Sequence, residues 1–185
     1  MLAVIHASVV DQPVDAIVNA ANAALAGGGG VDAAIHAAAG PELDLACRAI
    51  GHCNTSEAVI TPSFNLQRTT GARHIIHTVG PIYARYSRKR NAELLEACYR
   101  NSCEMALESN DTSLAFCSIS TGVYGYPAED ALPIAINTLF EYADSFDPLL
   151  FCLYTASEYR RGVSIINCVA TTHREGDRLI IDAVK

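Results

Sequence analysis

Apolar runs and helical stripes follow one another along these 185 residues in an order that predicts an α/β fold, with helices covering both faces of a largely parallel sheet. Short strand-like runs alternate with segments of helical period, the mark of a layered fold. Several of these runs are apolar at every position, as strands buried on both faces are. Two glycine-containing loops each follow such a run and precede a helical segment. That places both loops at one edge of a doubly wound sheet, where ligands of such folds bind.

The first two strands are "LAVIH" (2–6) and "DAIVN" (15–19). The second runs into "NAANAALAGGGGVDAAIH" (19–36), where four glycines in a row lead to a helix-like segment. Such a run bares backbone N–H groups toward an anion. The usual phosphate loop ends in lysine, but here no Lys or Arg precedes Arg48, so the peptide backbone must hold any phosphate. Further strands are "EAVITP" (57–62), "RHIIHTV" (73–79), "SLAFCSI" (113–119) and "LLFCLYT" (149–155).

A helix over 91–109 sets Leu94, Leu95, Cys98 and Met105 on one stripe, with Glu96 and Arg100 paired at i,i+4 outside it. Another, from about Asp130 to Ser145, turns Ile136, Leu139 and Phe140 inward. Pro133 fits there if it lies in the first turn, where an N–H has no intrahelical partner. The second glycine loop, "SISTGVYGYP" (118–127), is also free of cations, since none occurs between Arg100 and Arg160. Two cation-free loops at one edge fit a diphosphate clamp built from amide N–H groups and helix N-termini.

Half of the residues are apolar and 18% are charged, which predicts one well-packed domain over 1–185. A formal net charge of −7 argues against duplex nucleic acid as a partner. The basic cluster "RYSRKR" (85–90) reads as a solvated loop. Seven cysteines form no CxxC pair and no zinc spacing, and their odd number implies reduced thiols. Cys117 and Cys152 lie in apolar runs and act as small hydrophobes, while Cys47, His52 and Cys53 are neighbours without a ligand pattern. No stretch approaches the ~20 apolar residues of a membrane span, and no signal segment opens the chain. A cytoplasmic monomer without metal or cofactor is expected.

Taken together, "VDAIVNAAN" (14–22), "GGGGVDAAIHAAAGP" (27–41), "HTVGP" (77–81) and "ISTGVYGYP" (119–127) resemble a macrodomain of the MacroD type, a family that binds ADP-ribose and removes it from modified proteins. The resemblance covers roughly residues 2–159. It implies a three-layer α/β/α macrodomain fold around a six-stranded mixed sheet. It also implies that ADP-ribose lies between the loops, against Ala20, Ala21, Gly29, Gly30 and Val31 on one side and Ser120, Thr121, Gly122, Val123 and Tyr124 on the other. By the same resemblance Tyr126 packs over the distal ribose and Tyr154 stacks on adenine.

The family's catalytic positions fall on Asn22, Asp32 and His36. An amide at 22 can donate to and accept from ribose hydroxyls. Asp32 and His36, four apart at a helix start, share one stripe. A carboxylate so near a helix N-terminus is a poor base, so Asp32 is assigned the orientation of an attacking water. On the residues alone, His36 reads better as a packed, hydrogen-bonded histidine, and the motif context brings the two readings level.

The chain departs from the family's pattern in three places. Ala7 and Ser8 stand where the family usually has Gly-Asp, whose carboxylate holds the adenine amine. Ala33 and Ala37 replace a frequent Gly and Arg. After Tyr159 the expected closing helix gives way to residues 160–185, which read as two apolar stretches around a polar turn and receive no assignment. The implied activity is hydrolysis of mono-ADP-ribose from acidic side chains, of O-acetyl-ADP-ribose, or of both. A non-catalytic ADP-ribose reader is the alternative. A nucleotide hydrolase of unrelated fold is disfavoured by the missing P-loop lysine and the lack of clustered carboxylates.

Overall fold

The computed structural model describes residues 1–185. Eight strands form one mixed sheet: β1 (Leu2–His6), β2 (Ala16–Ala20), β3 (Ala58–Pro62), β4 (His74–Thr78), β5 (Leu114–Cys117), β6 (Leu149–Leu153), β7 (Ala170–Glu175) and β8 (Arg178–Val184). Their order is β3-β4-β2-β5-β6-β1-β8-β7. The five strands from β4 to β1 are parallel, and β3, β8 and β7 run antiparallel to their neighbours. The six strands read from the sequence all form.

Six helices cover the sheet: α1 (Gly30–Ala39), α2 (Glu42–Ile50), α3 (Asn65–Thr69), α4 (Arg88–Glu108), α5 (Ala128–Phe140) and α6 (Ala156–Val169). On one face Leu2, Val18, Phe116 and Phe151 pack under α4, α5 and α6 through Leu95, Tyr99, Ile136 and Ile166. On the other face Ala3, Ile17, Ala115 and Leu150 pack under α1, α2 and α3 through Ile35, Leu43 and Leu66. All four residues of β5 are buried, as an α/β/α sandwich requires of its central strands.

The sheet is two strands wider than the expected six. Helix α6 does not give way after Tyr159 but runs on to Val169, and the unassigned end then forms the β7–β8 hairpin, turning at Gly176. Leu179, Ile180 and Ile181 are buried, and β8 pairs with β1. The added strands thus close an edge that would otherwise present unpaired β1 backbone to solvent.

Two smaller expectations change as well. The basic cluster is not a loop throughout: Ser87 caps α4 by accepting from the Arg90 N–H at 3.2 Å, so Arg88, Lys89 and Arg90 open that helix. Helix α5 begins at Ala128, which puts Pro133 inside the helix beyond the first turn. The proline therefore leaves the Glu129 carbonyl without its helical donor.

Candidate active site

The C-terminal ends of β2, β5, β6 and β1 form the floor of a cleft of about 980 Å³. The first glycine loop and the start of α1 make one wall, and the second glycine loop makes another. Within the first loop, Asn22 both lines the cleft and braces the loop. Its Oδ1 accepts from the Ala26 N–H at 3.3 Å, and its Nδ2 donates to the Gly27 carbonyl at 3.3 Å. Gly28 lies against the reactive pair: a β-carbon there would come within 3.2 Å of Asp32 Oδ2 and 3.6 Å of Asn22 Nδ2. Glycine at 28 keeps that space open. Gly29 then caps α1 from an extended conformation, and the first N–H groups of the helix have no intrahelical acceptor. The loop holds no cation, so these N–H groups are its only positively polarised donors toward the cleft.

Asp32, at the third position of α1, is buried. Its Oδ1 accepts from Asn19 Nδ2 at 2.6 Å. The same amide nitrogen donates to His77 Nδ1 at 3.1 Å, and because an amide nitrogen only donates, Nδ1 is the unprotonated nitrogen of that ring. His77 Nε2–H then donates to Thr61 Oγ1 at 3.0 Å. Burial pushes the His77 imidazolium down to about 4, and the nearby His36 adds to the shift, so His77 is neutral. This buried chain ties one oxygen of Asp32 inward and leaves the other beside Gly28.

The second loop is built differently. It starts where the Ile119 N–H donates to the buried Tyr99 hydroxyl at 3.1 Å. Ser120 adopts a φ of +66°, and its carbonyl accepts from the Tyr126 N–H at 3.0 Å. Its Oγ is buried without a partner. Gly80 makes room for it, since a β-carbon at 80 would lie 2.0 Å from that oxygen. Thr121 and Gly122 continue the wall and Val123 is almost fully exposed at the rim.

Of the residues singled out from the sequence, Ala20, Ala21, Asn22, Gly29, Gly30, Val31, Asp32, Ser120, Thr121, Gly122, Val123, Tyr124 and Tyr154 line the cleft. Tyr154 is 71% exposed, at the far end from Asp32 and beside Ser8 and Asp11. Two residues do not reach it. His36 faces a shallow outer depression with Ala37, Gly40, Pro41 and Asp44; its Nδ1 meets Asp44 Oδ1 at 2.7 Å while Nε2 stands 3.4 Å behind Asp32 Oδ1. Tyr126 is buried beneath the second loop with its ring 4.8 Å from that of Tyr83, so Tyr124 takes the wall position.

Sequence reasoning missed Asn19, Gly80 and Arg161. Asn19 carried a faint signal, a polar side chain ending an otherwise apolar strand. Arg161 reaches the cleft wall from α6, but Glu129 accepts from it at 2.6, 2.7 and 2.9 Å, so its charge is matched before any ligand arrives. Cys117 and Cys152, paired in register on β5 and β6, lie in the floor. Burial pushes the Cys117 thiol up to about 11 and raises that of Cys152 further, so both line the site as neutral, apolar groups.

A Macro domain family model matches residues 18–135, more than half of the chain. The chain is similar to a Macro domain-containing protein of Ralstonia nicotianae, with 52% identity over 157 residues, 85% of this chain and 89% of that protein. It is similar to an O-acetyl-ADP-ribose deacetylase of Salmonella newport, with 50% identity over 145 residues, 76% of this chain and 78% of the relative. Among solved structures, an Oceanobacillus iheyensis macrodomain with ADP shares the fold at a TM-score of 0.81 and 37% identity, covering 90% of each chain. The glycine walls and the buried support of Asp32 are thus set on a framework shared over nearly the whole chain, which belongs to the Macro domain family.

Proposed function

We propose that this chain binds ADP-ribose across the two glycine loops and hydrolyses an ester at its distal ribose, releasing mono-ADP-ribose from acidic side chains or acetate from O-acetyl-ADP-ribose. The observation that carries this reading is the division of labour within Asp32: Oδ1 is fixed by Asn19 and Oδ2 stands free beside Gly28 and Asn22. A carboxylate oxygen held at one orientation and open on the cleft side is suited to position a water molecule. The Asn22 amide supplies a donor and an acceptor for ribose hydroxyls. As the water attacks the distal ribose, the carbon–oxygen bond to the acceptor carboxylate breaks and that carboxylate leaves with the electron pair. The water's proton passes to the ligand's own phosphate, while Asp32 orients the water. The names of a deacetylase relative and of an ADP-bound macrodomain support the same reading.

The test is turnover of a glutamate-linked mono-ADP-ribosylated substrate, read as free ADP-ribose. Asp32→Ala is expected to lower turnover by at least ~100-fold while leaving ADP-ribose affinity within about tenfold. Undiminished turnover removes Asp32 from the mechanism. Tight binding with no hydrolysis by the unaltered protein makes the chain a reader.

A further inference from the structure

We propose that the basic segment Arg85–Arg90 is the docking surface for the polypeptide that carries the modification, and that this polypeptide is acidic around its modified residue. The proposal rests on the hydrolytic reading above for the direction in which the acceptor leaves the cleft. The cleft has two distinct ends. Ser8 and Tyr154 follow β1 and β6, whereas Asn22 follows β2 and Asp32, on α1, is bonded to Asn19 of β2. Strand β4 is the neighbour of β2 on the side away from β1, so the chain that follows β4 emerges at the hydrolytic end.

Contacts pin that chain to the second loop. Gly80 lines the cleft. The Tyr83 N–H donates to the Tyr124 carbonyl at 2.9 Å. Asn91 Nδ2 donates to the carbonyls of Tyr83 and Tyr86 at 2.9 and 3.1 Å. Arg88 donates to Asp130 Oδ1, at the start of α5, at 2.7 Å. The basic segment is therefore held beside the second loop and the start of α5, toward the end of the cleft from which an acceptor side chain would depart.

Charge supports an anionic occupant. Arg85, Arg88, Lys89 and Arg90 are all exposed, on a chain whose net charge is −7. Arg88 and Arg90 each have one carboxylate partner, Asp130 and Glu93. Arg85 and Lys89 have none. The first turn of α4 also holds three cations and no acidic residue, against the preference of a helix N-terminus for negative charge. That arrangement costs the isolated fold stability, and a carboxylate-rich partner offsets the cost. The patch occupies a single short segment of a chain with net charge −7, which suits a few acidic side chains rather than the long run of phosphates of a nucleic acid.

Two mono-ADP-ribosylated peptides test this, alike in the modified glutamate but flanked either by Asp and Glu or by Ser and Gly. Binding is read by anisotropy and hydrolysis by released ADP-ribose. The unaltered protein is expected to favour the acidic peptide by about tenfold at low salt, through KM, and to lose most of that preference at about 0.5 M salt. The double variant Arg85→Ala/Lys89→Ala is expected to lose the preference while its turnover of O-acetyl-ADP-ribose stays unchanged. Equal treatment of the two peptides by the unaltered protein, or a preference retained by the variant, overturns the proposal. Displacement of both peptides alike by single-stranded RNA, abolished in the variant, reassigns the surface to nucleic acid and also overturns it. An acidic preference seen in binding without hydrolysis of either peptide upholds the docking surface and overturns the hydrolytic reading alone.

Discussion

Asp32 and Ser8 mark the two ends of the cleft, and the local chemistry differs between them. At Asp32 a charged group is supported by a buried amide and a neutral imidazole. At Ser8 a small neutral side chain caps the short 3-10 turn Val9–Asp11 and makes no capping hydrogen bond, while its carbonyl accepts from Gln12 Nε2 at 2.7 Å. The resemblance implies a carboxylate for the adenine amine at this position, where this chain has Ser8; the exposed Asp11 lines the same cleft. Ser8→Asp is expected to tighten ADP-ribose by about 1.5 to 3 kcal/mol, roughly tenfold to more than a hundredfold. The gain should be absent for the inosine analogue, which offers a carbonyl in place of the amine. Calorimetric titration of both proteins with both ligands checks this. Unchanged affinities show that Ser8 does not face the base or that Asp11 already serves it.

Helix α6 positions part of the cleft wall, and its start is fixed by a reciprocal cap. The Glu158 N–H donates to Thr155 Oγ1 at 3.1 Å, and the Thr155 N–H donates to Glu158 Oε2 at 2.9 Å. Two otherwise unpaired donors at the helix end are thereby satisfied. The helix then packs closely on β6, since a β-carbon at Gly162 would lie 2.4 Å from Leu153 Cδ1. Thr155→Ala is expected to destabilise the protein by about 1 kcal/mol, seen as a lower urea midpoint at constant slope. An unchanged midpoint assigns the helix start to the packing of Gly162 and Ile166 instead. Beyond α6, β7 forms the edge of the sheet and β8 joins it to β1, so one continuous terminal region shapes both the cleft wall and the sheet border.

For the molecule as a whole, the buried imidazole couples stability to pH. His77 has a folded value of about 4 against 6.5 for the free side chain, chiefly through burial. Between those values the unfolded chain takes up a proton that the folded chain refuses. Stability from this group is therefore full above about pH 6.5 and declines as pH falls toward 4, by about 3 kcal/mol in total. Urea unfolding at pH 7 and at pH 4.5 is expected to show a smaller loss for His77→Gln than for the unaltered protein. Parallel losses in the two proteins mean that His77 is already charged in the fold.

The sequence by itself determined the six strands from β1 to β6, the two-sided burial of the sheet and the absence of cations from both glycine loops. These follow from local period and residue type, and the Asn22–Gly28–Asp32 grouping follows from chain proximity. It also held a legible sign of α6, the Thr155-x-x-Glu158 pattern, although the β-branched run after it fits a strand equally well. Tertiary structure alone decided that His36 backs Asp32 rather than facing the cleft. Residues four apart share a stripe, but they stand one turn, about 5 to 6 Å, apart along the helix axis, and α1 borders the cleft only from Gly30 to Ala34. It alone decided that Tyr126 lies under its loop, that Gly80 makes room for Ser120, and that Glu129 occupies Arg161. It also linked Asp32 through Asn19 to His77 and Thr61, residues 13 to 58 positions apart along each hydrogen bond. Periodicity states which side of an element is buried; it does not state which residue from a distant strand will meet it there.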